Sequence, residues 1–338
     1  MKSFLGCAAL LTTMAACSFL APRARITMHL VDESGAALAD VPIQVERYTH
    51  TIPGPELGID QWDAVTHLTD AIGNSTFTTR SPLNRLGYMV ANAPPGFYED
   101  RGGEFLFDHE PSWGRWRPWN PTVTHVLKRI VNPVPMHVRY VGFNWEEKIP
   151  VMEEPVGFDL VKSDWVKPHG EGEVPDFVFW LKVERFPDPP DWDVKKQGHF
   201  QRYRTRFRVS FSNEGDGIQP FCVKLRTGSE LISPSQAPLT GYTNEYVRFS
   251  ERLSPSHSIQ EKWQEEQNYL FRVRSERRDG EVVRACYGKI YGNIDYSLEG
   301  GVQFLYYLNP DPTSRSLEFD TKRNLCTPRE GEHYAPGP

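Results

Sequence analysis

Two absences in the sequence limit what the protein can be. Beyond the N-terminal segment, no apolar run reaches the ~18 to 20 residues that a membrane-spanning helix needs. The chain of 338 residues also has no excess of positive charge, because its net charge is -6. Broad electrostatic attraction to nucleic acid is therefore not expected. We predict no nucleic-acid partner.

Motifs that carry known chemistry are absent as well. The sequence contains no P-loop or GxGxxG in a supporting context, no Ser-His-Asp order, no Cys-His nucleophile, no HExxH and no EF-hand loop. These absences favour a protein without catalysis over an enzyme. We expect neither a cofactor nor a metal ion.

Cysteines are few. Of the five, Cys7 and Cys17 lie in the N-terminal segment, which leaves Cys222, Cys286 and Cys326. None forms a CxxC pair, so zinc ligation by thiolates is not supported. Three cysteines cannot all pair within one chain. In an oxidising compartment, one disulfide between any two of them and three unpaired thiols are both open alternatives.

The N-terminus has the pattern of a bacterial export signal. Lys2 is followed by a short apolar core and by the small residues of Met14-Ala15-Ala16-Cys17. These four residues resemble a lipobox, which implies cleavage before Cys17 and a lipid on its thiol. Ser18, which is not Asp, implies sorting to the outer membrane, facing the periplasm or the cell surface. An ordinary signal peptide cleaved near Ala21 is the alternative.

We predict that the remaining chain is all-β, or mainly so. The 28 prolines and 26 glycines fall between short apolar runs, as is typical of a turn-rich β protein. The length suits two domains. We predict a signal peptide and short linker over 1–22, a β-sandwich over 23–132, a larger antiparallel β domain with one short helix over 133–326, and a disordered tail over 327–338.

The first domain shows strand alternation and turn chemistry. Ile26, Met28 and Leu30 alternate with polar residues, which predicts a half-buried strand. Further strands are predicted over 41–46, 75–79 and 122–131. The turns and core positions that organise these strands are Asp32, Gly35, Val41, Val45, Thr69, Asp70, Gly73 and Phe77.

These residues, over roughly Arg25 to Leu127, resemble a carboxypeptidase regulatory-like domain, a β-sandwich of the transthyretin-like (prealbumin) type. The segment Tyr48 to His67 departs from that pattern as a long insert rich in proline and glycine. The resemblance implies a spacer or adhesion module that has no catalytic residues of its own. It therefore predicts architecture rather than activity.

A tryptophan-rich segment is the first candidate binding site. Trp113, Trp116 and Trp119 recur at every third residue, which is the period of polyproline II. On such a helix the three indoles line one side and can stack on sugar rings. The alternative is that the segment folds down and its tryptophans cover a sheet.

The second candidate is a loop dense in polar side chains. Asp164, His169 and Asp176, with Asp159 and Glu171 beside them, could form an acid/base pair or an oxygen-rich metal site. Their spacing matches no metal motif. Pro168 and nearby glycines favour the alternative of a structural loop whose acids cap backbone N–H groups.

Other features of the second domain concern its architecture. A strand over Tyr203 to Phe211 carries arginines on one face, which either meet an anionic partner or pair with acids across the sheet. A capping box predicts a helix over Ser258 to Asn268. Asp279-Gly280 predicts a hairpin, and Gly288 and Gly292 predict a bulge or a close backbone approach.

The first hypothesis is therefore a non-catalytic envelope lipoprotein that serves as a binding or structural module, with a glycan or a protein as partner. The alternative is an envelope hydrolase or carbohydrate-binding protein that uses the Asp164–His169–Asp176 loop. A third hypothesis is a partner subunit that docks through an exposed edge strand of the first sandwich.

Overall fold

The computed structural model describes residues 21–52, 59–142, 146–189, 192–198, 200–223, 228–254, 257–260, 267–328 and 336–338. The chain divides into two compact units. Unit 1 comprises Met1–Ile130 and Arg226–Ile232, and unit 2 comprises Val131–Leu225 and Ser233–Pro338. The N-terminal signal and Cys17 lie outside the described residues. No helix in the described part of the chain is both long and apolar enough to cross a bilayer.

The protein is mostly β, as the sequence predicts. Unit 1 contains β1 (Arg23–Asp32), β2 (Pro42–Ile52), β3 (Ile59–Leu68), β4 (Asn74–Arg80), β5 (Arg85–Val90), β6 (Gly103–Leu106) and β7 (Thr122–Leu127). Unit 2 contains β8 (Val134–Val141), β9 (Val156–Asp159), β10 (Asp164–Trp165), β11 (Phe177–Phe186), α1 (Val194–Gln197), β12 (Arg202–Ser210), β13 (Gly217–Cys222), β14 (Glu245–Ser254), β15 (His257–Gln260), β16 (Gln267–Arg278), β17 (Glu281–Tyr296), β18 (Val302–Asn309) and β19 (Phe319–Asn324).

Unit 1 is a two-sheet sandwich. One sheet has the order β4-β1-β7 and the other β3-β2-β5-β6. Ile26, Met28 and Leu30 of β1 pack in one core with Ile43 and Val45 of β2, and all five side chains are buried. The alternation along β1 thus reflects burial of one face against the second sheet.

The turn residues of unit 1 act through hydrogen bonds. Asp32 Oδ1 accepts the N–H groups of Ser34 and Ala36 at 2.9 and 3.0 Å. Thr69 Oγ1 accepts the N–H of Val41 and donates to the carbonyl of Leu38. A Cβ added to Gly73, whose φ is +76, would lie 2.5 Å from the Leu30 carbonyl oxygen. These contacts fix the two turns that lead into β2 and β4.

The predicted insert between Tyr48 and His67 is largely a hairpin. β2 continues to Ile52, and β3 returns antiparallel from Ile59, so that Tyr48 lies opposite Trp62. Strand β3 lies at the edge of its sheet. Cross-strand pairing thus organises residues of this insert whose own sequence pattern is weak.

Unit 2 contains two six-stranded sheets. Their orders are β10-β9-β11-β12-β14-β15 and β13-β16-β17-β18-β8-β19. Most neighbours are antiparallel, and β19 runs parallel to β8. Phe158, Phe179 and Phe207 of the first sheet share a buried core with Phe271 and Phe304 of the second. Edge-to-face ring contacts, such as Phe177 with Phe271 at 5.1 Å, dominate this core.

The second sheet confirms the predicted hairpin and glycine features. β16 and β17 join at Asp279 and Gly280, whose φ angles are 52° and 85°. A Cβ at Gly288 would lie 2.1 Å from Phe271 Cζ and 2.3 Å from the Tyr307 carbonyl oxygen, so the backbones approach closely there. Gly292, with φ +80, lies where the β17–β18 register shifts. This shift is a bulge of the kind the glycines predict.

The predicted helix over 258–268 is wrong at both of its described ends, since Gln267 and Asn268 already belong to β16. His257–Gln260 is a strand paired with β14, with Arg252 opposite Ser258. Residues 261–266 lie outside the described residues. Strand pairing with β14 overrides the local capping signal. The helix of the described chain is instead α1, which Asp193 caps by accepting the N–H of Lys196.

Candidate functional site

The loop that carries Asp164 and His169 is closed by one of its own acids. Asp164 Oδ1 accepts the N–H of Trp165, and Oδ2 accepts the N–H of Glu171, both at 2.8 Å. A Cβ at Gly170 would lie 2.6 Å from the Trp165 carbonyl oxygen, so the turn requires glycine. Asp164 is therefore occupied as a cap for the loop backbone.

Asp176 has a different set of partners. Arg274 Nε donates to its Oδ1 and Arg274 Nη2 to its Oδ2, both at 2.8 Å, and the N–H of Leu160 donates to Oδ2 at 2.9 Å. His169 is exposed. Among the described residues it makes no hydrogen bond or ion pair with Asp164 or Asp176. The fold does not join the three predicted side chains into one hydrogen-bonded set.

The organised polar group in unit 2 is centred on Arg274. Besides Asp176, its Nη2 binds Asp159 Oδ1 at 3.0 Å. Arg274 sits at a bulge in β16 with φ 56°, and its backbone N–H donates to Asp216 Oδ2 at 3.0 Å. We refer to Arg274, Asp159, Asp176 and Asp216 as the Arg274 cluster. Its three acids are buried, with one cation among them.

The electrostatics of this cluster follow from burial and hydrogen bonding. Burial raises the pKa of Asp176, against the lowering effect of its bonds to Arg274. Burial also acts on Asp159, but four backbone N–H donors outweigh it and lower the pKa of that carboxyl. The bond to Asp176 raises the pKa of Arg274. The guanidinium therefore keeps its charge, and its bidentate geometry matches an ionised carboxylate.

A thiol and an imidazole lie near the cluster. Cys326 Sγ is 3.9 Å from His137 Nδ1 and 3.9 Å from the Tyr306 hydroxyl. Burial, and then the positive charge of Arg274, lower the pKa of His137. A neutral imidazole can take a proton from a thiol. The neighbouring Tyr306 belongs to the core, because it is fully buried and its hydroxyl donates to the Leu160 carbonyl at 2.6 Å.

The structure leaves the three C-terminal cysteines unpaired. Cys222 is exposed, Cys286 is buried and Cys326 is partly buried, and all are free thiols. Burial raises the pKa of Cys286 to about 11, so this thiol is not a thiolate at neutral pH. Within the described ranges, no group of three or more His, Cys, Asp or Glu side chains is arranged to hold a metal ion.

Sequence reasoning did not find Arg274 or Asp216. They lie far along the chain from Asp159 and Asp176 and belong to no local motif. The signal that existed was the acid-rich loop itself, because buried acids need a cation. Nothing in the sequence indicated which of the arginines would supply it.

The three tryptophans of the candidate strip lie in different environments. Trp113 is 93 % exposed, whereas Trp116 is 5 % exposed, and its Nε1 donates to the Ser81 carbonyl at 2.9 Å. The Arg115 guanidinium lies over Trp119, 4.9 Å from the ring centroid. Positive φ angles at Trp113 and Asn120 turn the segment. Trp116 therefore belongs to the core, and of the three tryptophans only Trp113 is fully exposed to solvent.

No protein-family model matches the sequence, and no curated protein matches it. Solved structures that match include a streptococcal ancillary pilin, with 13 % identity, a TM-score of 0.22, and coverage of 77 % of this chain and 57 % of that chain. The full-length major pilin SpaD from Corynebacterium diphtheriae matches with 9 % identity, a TM-score of 0.24, and coverage of 89 % and 92 %. The shaft pilin SpaA from Lactobacillus rhamnosus GG matches with 10 % identity, a TM-score of 0.20, and coverage of 81 % and 89 %. The chain spans just over half of the streptococcal pilin. These TM-scores are too low to carry function from those proteins to this one.

Proposed function

We propose that this protein is a non-catalytic binding or structural module of the bacterial envelope, anchored by a lipid on Cys17. On this proposal the lipid holds the protein at the outer membrane, facing the periplasm or the cell surface. The β-sandwich of unit 1 lies closest in sequence to the anchor and acts as a spacer. Unit 2 contains the surfaces that would contact a partner.

One observation carries the non-catalytic part of the proposal. The two acids of the predicted catalytic loop are already bonded, Asp164 to backbone N–H groups and Asp176 to Arg274. A general base must instead reach a substrate proton within hydrogen-bond distance. The exposed His169 has neither acid as an orienting partner. This arrangement favours a structural loop over the alternative of a hydrolase.

The resemblance to carboxypeptidase regulatory-like domains gains support from the turns of unit 1. Asp32, Thr69 and Asp70 bind backbone N–H groups, while Gly73 allows β4 to start beside Leu30. These are the positions on which the resemblance rests. The resemblance supports a spacer or adhesion role for unit 1, because the residues that carry it shape turns.

The anchor can be tested by mass spectrometry of the mature N-terminus after membrane fractionation. A diacylated or triacylated N-terminal Cys17 in the membrane fraction is the expected result. Cys17→Ala should release the protein from that fraction, while Cys7→Ala, the matched control, should not. A soluble protein starting near Pro22 would contradict the lipid anchor.

Glycan contact at Trp113 is a second candidate function, favoured by the exposure of that indole. Trp116→Ala is the wrong probe, because it removes a core side chain. Trp113→Ala should instead abolish binding on a glycan array without changing the melting temperature. If the unsubstituted protein binds no glycan, or if Trp113→Ala binds as well as it does, this function is excluded.

A further inference from the structure

The outer face of the first sheet of unit 2 carries a row of arginines. One of them, Arg208, lies over the Trp180 ring, 5.4 Å from the ring centroid. The core-facing side chains of β12 are Thr205, Phe207 and Val209, so Arg204, Arg206 and Arg208 point to the opposite face. The register places Lys182 and Phe249 on either side of Arg206, and Trp180 and Val247 on either side of Arg208. We call these six side chains, without Arg204, the arginine face.

Ion pairs neutralise only part of this row. Arg204 Nε binds Glu251 Oε2 at 2.6 Å, and Lys182 Nζ binds Glu184 Oε1 at 3.0 Å. Within the part of the chain that the structure describes, neither Arg206 nor Arg208 forms an ion pair. Arg206 is exposed, and the buried Arg208 Nε has no hydrogen-bond partner. Two guanidinium groups are therefore left without an anion.

The surroundings of the two arginines limit the size of the anion. Glu184 and Glu251 lie at one end of the row, and Glu245, opposite Ser210, lies at the other. The uncompensated stretch is thus two arginines long, about 6.8 Å along the strand. An extended anionic surface such as a membrane would bring negative charge onto these acids. A narrow ligand with one or two anionic groups would not.

The strand itself argues against a peptide as the ligand. Both edges of β12 are paired, with β11 on one side and β14 on the other. A peptide lying on this face would find no backbone partner for its own N–H and C=O groups, whose burial costs free energy. A sugar ring can keep its hydroxyl groups in contact with water while only its C–H face packs on the protein. Its C–H face can pack on Phe249, which is 37 % exposed, while its carboxylate meets a guanidinium.

We propose that the arginine face binds a short acidic glycan, one or two uronic acid residues long, through the guanidinium groups of Arg206 and Arg208. In the complex, Arg206 donates two parallel hydrogen bonds to one carboxylate, and the partly exposed Arg208 places its positive charge beside the same or the next sugar. This site goes beyond display at the membrane, and its existence does not depend on a lipid at Cys17.

The test is a titration of the detergent-purified full chain with digalacturonate, which has two carboxylates, in low-salt buffer. Binding should weaken with added salt, and the methyl-esterified oligomer, which has the same rings without the charge, should bind at least tenfold more weakly. Arg206→Ala should also cost about tenfold or more, because it removes charge-assisted hydrogen bonds. Arg278→Ala, an exposed arginine elsewhere in unit 2, should leave the affinity unchanged.

Several results would overturn the proposal. These are no binding of digalacturonate by the unsubstituted protein, equal binding of the methyl ester, or unchanged affinity in Arg206→Ala. Tighter binding of poly-L-glutamate or of phosphatidylglycerol vesicles, lost in Arg206→Ala, would assign the face to a peptide or a membrane instead. Arg206 is exposed, so its substitution tests the face even if Arg208→Ala fails to fold. The lipid at Cys17 is scored separately by mass spectrometry.

Discussion

At the scale of single residues, Arg274 stands out because it holds three acids from distant parts of the chain. Its guanidinium binds Asp159 and Asp176, and its backbone N–H binds Asp216. The side chains of Asp159 and Asp176 are almost fully buried, whereas that of Arg274 is partly exposed. Removing the cation would therefore leave two buried negative charges with only backbone donors.

We expect Arg274→Met to lower the free energy of unfolding by about 3 kcal/mol, since breaking a buried ion pair leaves its partner charge uncompensated. Denaturant unfolding at neutral pH measures this loss. Arg278→Ala, at the exposed end of the same strand, should change stability by less than about 0.5 kcal/mol. Equal effects of the two substitutions would show that the Arg274 cluster does not stabilise unit 2.

A second residue-scale prediction concerns pH. The Ser34 hydroxyl and the Arg129 guanidinium lower the pKa of Asp32 from 3.8 to about 2. A carboxyl whose pKa is lower in the folded state stabilises the fold above its ordinary pKa, and this contribution is lost as the pH falls through the folded value. Asp32→Asn should melt below the unsubstituted protein at pH 7. The difference in melting temperature should close between about pH 4 and pH 2.

The matched control for Asp32 is Asp108→Asn, since Asp108 is an exposed acid of the same unit. Its melting temperature should follow that of the unsubstituted protein at every pH. A difference for Asp32→Asn that stays constant from pH 7 to pH 2 would mean that the turn depends on side-chain shape rather than on the charge of the carboxylate.

At the scale of elements, the strands were predictable where one face is buried. The alternation of Ile26, Met28 and Leu30 predicted β1, and Asp279-Gly280 predicted the β16–β17 hairpin, because both signals are local. The helix at Ser258 failed because β14 pairs with that segment. The Arg274 cluster could not be predicted, since its residues lie in β9, directly before β11, directly before β13 and in β16.

The close packing of β16, β17 and β18 gives a prediction at this scale. Gly288→Ala places a Cβ 2.1 Å from Phe271 Cζ and 2.3 Å from the Tyr307 carbonyl oxygen. A backbone atom cannot move away from the new Cβ as the end of a flexible side chain can. We therefore expect the free energy of unfolding to fall by at least about 2 kcal/mol. Thermal and denaturant unfolding measure it.

Gly87→Ala in β5 is the matched control, because a Cβ there would meet only Glu46 at 3.6 Å, an ordinary contact. Replacing glycine by alanine in a strand with room for the methyl should leave stability unchanged or raise it slightly. If Gly288→Ala were tolerated equally well, the three strands would have to be more loosely packed than the structure shows.

At the scale of the whole molecule, unit 1 is not one continuous stretch of chain. Residues 226–232 belong to it, although the chain on both sides belongs to unit 2. The N–H of Arg101 donates to the Gly228 carbonyl, and the N–H of Gly228 donates to the Gly102 carbonyl, at 2.8 and 2.7 Å. Ser229 Oγ accepts the N–H of Lys128 at 2.9 Å. Residues 226–232, which we call the returning segment, thus complete the hydrogen bonding of unit 1.

A fragment of residues 23–132 should therefore be less stable than unit 1 within the full chain. We expect more exchange of the Arg101 and Lys128 amide protons with solvent, because their acceptors are missing. Appending residues 226–232 through a Gly/Ser linker should restore part of the protection. A fragment that melts at the temperature of unit 1 in the full chain, with the same protected amides, would contradict this expectation.

The position of residues 226–232 in the sequence also affects when unit 1 can finish folding, because the chain is synthesised from its N-terminus onward. The strands of unit 1 are all present once residue 127 has emerged, but the acceptors for Arg101 and Lys128 follow only after residues 131–225. Until residues 228 and 229 have been synthesised, the hydrogen bonding of unit 1 is incomplete. During this time it is most open to proteases and to pairing with the wrong strand. The last steps of its folding therefore depend on how fast the following chain appears.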